Sequence, residues 1–237
     1  MRTPLGLFLL TLATALSAQA PGGKGFVVGA ALLGFASSAL FTSLLHLPRD
    51  LFVLVHSIAV AVFLAAWLRA MGIDLGVQVR RRWVGGLVVG LLVGAVLTRM
   101  VLNQPASPRS EGLALLWALY WPGVTYGVVD AFLLSVFPVL AVYGSRPAEE
   151  LAGPGGRWRW GLAALLVSLA ITAAYHLGFD EFRGRALIAP LAGNGLVTAS
   201  YLATGSPIAA VLSHVVMHVA AVLQGMENTP VLPPHYP

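Results

Sequence analysis

The chain has 237 residues, 58% of them hydrophobic and only 10% charged, with a net charge of +5 and no cysteine. A soluble domain carries about 25% charged residues, so the composition excludes an ordinary soluble fold and indicates an all-α, polytopic transmembrane bundle of one domain. Lack of cysteine excludes disulfides, thiolate nucleophiles and cysteine-ligated metals, and the basic residues sit between apolar blocks without an aromatic-interleaved patch, which excludes a nucleic-acid partner and leaves the lipid bilayer.

Residues 1–20 combine a basic start, an apolar core and Ala18-Gln19-Ala20. They read either as a signal peptide or as a short first membrane segment that stays attached. Pro21, Gly22, Gly23 and Gly25 break the chain there, so the domain plan is 1–25, a single bundle over 26–225, and a short Pro-rich tail over 226–237. Residues 26–47 form the first full-length apolar block, and residues 51–70 form the second and carry His56. The following loop holds Arg80, Arg81 and Arg82, the densest basic cluster, and is cytoplasmic by the positive-inside rule. Lys24 then falls inside as well, which leaves the orientation of 1–20 open. In the block 83–102, Gly86, Gly90 and Gly94 recur every fourth residue and predict a close-packing helix face.

Residues 112–143 exceed the ~20 residues of one straight span. Trp117, Tyr120, Trp121 and Pro122 predict an interfacial first part, with the crossing segment from Gly123 onward carrying Asp130, the single acid at membrane depth. A second cytoplasmic loop follows with Arg146, Arg157 and Arg159. Three more apolar blocks, 160–177, 186–202 and 207–223, bring the total to about seven membrane helices besides the N-terminal segment.

Three of the six histidines fall in the last part of the chain: His176, His214 and His218. His214 and His218 are four apart in an apolar helix and project from one face. Ionisable groups at membrane depth need a partner or a cavity. Thr204-Gly205-Ser206-Pro207 followed by His214 and a polar residue four further on resembles the closing motif of the intramembrane CAAX prenyl proteases and their bacteriocin-processing relatives. Tyr175-His176 resembles that family's aromatic-and-histidine motif with altered spacing, and Asp130 stands where its first motif places a carboxylate, without the arginine that follows it there. The resemblance covers about residues 120–225. It implies a multi-pass protein of the bacterial cell membrane that hydrolyses a peptide bond of a membrane-anchored substrate, with a carboxylate and a histidine activating water and the remaining polar groups holding the oxyanion.

Read residue by residue, Asp130 is the general base, the group that holds the base, or a structural acid, and Tyr126 is placed to donate to it. His214 and His218 polarise a water, hold an oxyanion, or supply two ligands of a divalent metal such as zinc, with His176 as a third ligand and Asp130 as a fourth. Glu181, in Asp180-Glu181-Phe182-Arg183, reads as part of an exposed interfacial ion-pair loop or as a second catalytic carboxylate looped in. Asn194, Thr198 and Tyr201 share one helical face and either complete the site or bind helices together. Sequence alone gives His56 no place. Three functions remain: a divergent endopeptidase, an inactive relative that binds a membrane partner, and a histidine-based metal or haem protein.

Overall fold

The computed structural model describes residues 21–80, 82–226 and 231–233. The signal-like stretch 1–20, Arg81 and most of the Pro-rich tail lie outside the described residues. Among the described residues every regular element is helical. Seven helices are long and apolar enough to cross a membrane: α1 (Gly25–Leu44), α2 (Arg49–Met71), α3 (Trp83–Leu102), α4 (Gly112–Gly144), α5 (Gly155–Leu177), α6 (Arg185–Thr204) and α7 (Pro207–Gln224). The chain is an integral, multi-pass membrane protein. Lipid offers no hydrogen bonds to the backbone, so a spanning segment must satisfy its own, as a helix does. Leu32, Ile58, Val62, Leu91 and Leu92 point outward with more than half of their surface exposed, an arrangement that suits contact with acyl chains and not with water.

Helix α4 is the axis of the bundle. Its most apolar stretch is 72% buried, against 28% to 50% in the other six helices. The aromatic first part and the crossing part are continuous, because the 33 residues run on as one helix. At 1.5 Å per residue it is about 50 Å long, more than the ~30 Å hydrocarbon layer. The excess lies at its start, where the indoles of Trp117 and Trp121 donate to the Asp50 carboxylate (3.0 Å) and backbone carbonyl (3.1 Å), as expected of an interfacial aromatic girdle.

Two prolines shape α4. Pro122 has no N–H for the carbonyl of Ala118, and the helix there widens to a π-helical stretch, Leu119–Thr125. Pro138 likewise leaves the carbonyl of Leu134 without its helical donor, next to a second π-helical stretch, Phe132–Val136. Side chains make up the loss: Ser168 Oγ (2.6 Å) and Asn194 Nδ2 (3.2 Å) both donate to Leu134 O. Asp130 lies in the α-helical stretch between the two.

Small residues set the other contacts. A Cβ at Gly90 would stand 3.0 Å from Ala209 O and 3.1 Å from Leu212 Cβ, and one at Gly94 would stand 3.0 Å from Val216 Cβ. The Gly86, Gly90 and Gly94 face therefore lets α3 lie directly on α7, as its spacing predicts. On the other side, Gly34 of α1 meets Tyr175, and Ser38 Oγ donates to Tyr175 O at 2.6 Å. These contacts tie the last turn of α5 to α1. Helix α6 stops at Gly205, whose φ of +66° suits glycine, and the Arg82 guanidinium reaches Thr204 O at 3.5 Å. At the opposite end of the bundle, Arg49 donates to Met226 O (2.7 Å) and Pro233 O (2.8 Å), tying the chain after α7 to the start of α2.

Candidate functional site

Three helices bring four ionisable side chains to one place. Asp130 comes from α4, His176 from the last turn of α5, and His214 and His218 from α7. All four line a single cavity of about 110 Å³, together with Tyr126, Tyr175 and Asn194. That volume holds a few waters or one peptide group and is smaller than the roughly 300–1,000 Å³ of typical small-molecule sites. A haem does not fit in it. Met100 and Ala189 on its rim are exposed, so the cavity reaches the surface between α3 and α6.

The carboxylate of Asp130 is 4% exposed and lies between two imidazoles. Its Oδ2 is 3.9 Å from His218 Nε2, and its Oδ1 is 3.7 Å from Nε2 of His56 on α2. Both separations exceed a direct hydrogen bond. Gly127, one turn before Asp130, makes this possible: a Cβ there would stand 3.1 Å from Val215 Cα and 3.3 Å from His218 Cδ2. The rings of His214 and His218 are 5.6 Å apart, one turn of α7. Tyr126 has its hydroxyl 2.5 Å from that of Tyr175 and also pairs with the Asp130 carboxylate, as expected, so of the two phenol O–H groups one joins the phenols and the other serves Asp130.

His176 is half-buried, with Nδ1 2.8 Å from Thr172 O. A carbonyl only accepts, so Nδ1 carries the proton and neutral His176 presents an unprotonated Nε2. Asp130 Oδ1, His56 Nε2, His214 Nδ1 and both ring nitrogens of His218 are buried without a hydrogen-bond partner among the described residues. Buried polar groups are seldom left so. Four of these five atoms belong to residues that line the one cavity, and the fifth, on His56, stands behind Asp130.

Glu181 does not join them. It is exposed on the turn Asp180–Phe182, where Asp180 pairs with Arg183 at 2.7 Å, the exposed ion-pair loop. Phe179 and Phe182 are the residues this loop turns into the cavity. His176, His214 and His218 share the cavity wall, yet among the described residues no three His, Asp or Glu side chains converge closely enough to hold a metal ion. Asn194 and Thr198 join Ser135, Ser168 and Thr172 in a buried network: Asn194 Nδ2 donates to Thr172 Oγ1 at 2.6 Å, and Ser135 Oγ donates to Asn194 Oδ1 at 2.8 Å. The network locks α4, α5 and α6 together, and through Asn194 it reaches the cavity.

His56 is the residue that sequence reasoning left unplaced. It is fully buried, as is its neighbour Ser37, whose Oγ lies 3.0 Å from His56 Nδ1. Its signal was the one used for Asp130: an ionisable group in the middle of an apolar span. The chain matches no protein-family model, no curated protein and no solved structure.

Proposed function

We propose that the chain is an intramembrane hydrolase, an endopeptidase acting on a membrane-anchored peptide. The observation that supports this reading is the Asp130 carboxylate held between imidazole nitrogens at the wall of a small cavity where Asp130 Oδ1, His214 Nδ1 and both His218 ring nitrogens lack hydrogen-bond partners among the described residues. Those separations suit a water bridging Asp130 Oδ2 and His218 Nε2. In the reaction, the carboxylate and imidazole take a proton from this water as its oxygen attacks the substrate carbonyl carbon. The resulting oxyanion meets a donor at His214. His176 Nε2 serves as a further proton acceptor. The C–N bond then breaks, and the proton held by the carboxylate–imidazole pair passes to the departing amine. Glu181 has no part in this scheme.

The test uses the full-length protein in lipid nanodiscs with a degenerate library of membrane-anchored peptides. Wild type cleaves the library, and Asp130→Asn and His218→Ala each lower the rate by about 100-fold or more while melting like wild type. A wild type that cleaves nothing, or an Asp130→Asn variant as fast as wild type, overturns the reading, and the bundle is then a binding protein.

A further inference from the structure

Asp130 is held asymmetrically. Its Oδ2 faces His218, which lines the cavity; its Oδ1 faces His56, which does not. His56 therefore cannot touch a substrate and acts only through Asp130. Its ring is clamped, stacked on Phe52 at 5.5 Å with 9° between the planes and flanked by Tyr175 at 5.3 Å. The clamp leaves one orientation, with Nδ1 on Ser37 Oγ at 3.0 Å and Nε2 toward Asp130 Oδ1. Ser37 Oγ is in turn 3.0 Å from Gly34 O.

The hydroxyl has two uses, and both give the same result at Asp130. If Ser37 donates to Gly34 O, its lone pair takes the proton of His56 Nδ1. Nε2 and Oδ1 would then face each other as two lone pairs in a low-dielectric interior unless a proton lies between them. If Ser37 donates to Nδ1 instead, Nε2 must carry the proton. Either way His56 Nε2 is the nitrogen that faces Oδ1, 3.7 Å away, and Oδ2 is the oxygen turned to His218 and the cavity.

We infer that His56, oriented by Ser37, is the positioning residue of Asp130: α1 and α2 hold one carboxylate oxygen so that the other faces the cavity. The inference rests on the hydrolase reading for its consequence but not for its geometry. The test therefore has two arms on full-length protein in nanodiscs, with His56→Ala, His56→Gln and Ser37→Ala. In the first arm, His56→Ala lowers kcat about 10- to 100-fold at unchanged KM. His56→Gln, which restores a donor toward Oδ1, recovers part of the loss, and Ser37→Ala loses less than His56→Ala. In the second arm, the infrared carboxyl band assigned to Asp130 by its disappearance in Asp130→Asn moves in His56→Ala and His56→Gln. A merely structural histidine would change the folded fraction and leave that band and kcat per folded molecule where they are; that result overturns the inference. If wild type cleaves nothing, the hydrolase reading falls, and the band alone decides whether His56 holds Asp130. Should His56→Ala not fold, His56→Gln carries both arms.

Discussion

At Asp130, one carboxyl group receives imidazoles from two other helices, and glycine is what lets the second approach. Gly127→Ala puts a methyl group 3.1 Å from Val215 Cα and 3.3 Å from His218 Cδ2, so α7 must move away from Asp130. The expected result is a helical, folded protein whose cleavage rate falls about 10-fold, because a displacement of a few tenths of an ångström at reacting groups weakens their alignment; circular dichroism and the peptide assay check it together. Part of this site was legible in the sequence. His214 and His218 announce a shared face by their spacing, and Asp130 announces itself as an acid at membrane depth. His56 carried the same signal as Asp130, but it could not be assigned to the site because its partners Ser37 and Asp130 lie on different helices and no local spacing links them. Of the two readings of Glu181, the exposed ion-pair loop is the one found, because Phe179 and Phe182 turn inward around it and Glu181 is left outward.

The elements repeat this pattern. All seven spans could be read from block length and apolarity, since lipid imposes both. The interior of α4 could not: whether Pro122 and Pro138 break a helix or shift its register depends on who satisfies the carbonyls they orphan. For Leu134 O the answer is Ser168 and Asn194, from α5 and α6. Asn194→Ala removes one of those donors and takes one hydrogen bond each from Thr172 Oγ1 and Ser135 Oγ, which keep their bonds to Ser168 O and Thr198 Oγ1. The substitution should lower stability by about 1–3 kcal/mol, the usual loss for a few buried hydrogen bonds, as read by thermal unfolding in detergent. Pro138→Ala in the same background supplies an N–H to Leu134 O and should recover part of the loss. A double variant no more stable than Asn194→Ala contradicts the assignment of that carbonyl.

For the whole molecule, the seven crossings place Arg80, Arg82, Arg146, Arg157 and Arg159 at one end of the bundle, with the α6–α7 turn beside Arg82. The positive-inside rule makes that end cytoplasmic. Reporter fusions after residues 81 and 155 should give cytoplasmic signals, and fusions near 108 and 183 should not; the reverse pattern turns the molecule over. The site belongs to the other half of the bundle, since His56 lies within two turns of the start of α2 and His176 and His218 lie near the ends of α5 and α7. That placement sets the cavity under the loop 178–187 and the chain that Arg49 ties down, and open toward lipid between α3 and α6. Whether this cavity activates water is decided by digesting a membrane-anchored peptide in water enriched in heavy oxygen and weighing the products. One heavy oxygen is expected in the new carboxyl terminus of the wild-type product and no product from Asp130→Asn; a product without the label, or labelled product formed equally well by Asp130→Asn, rules out water activation at Asp130.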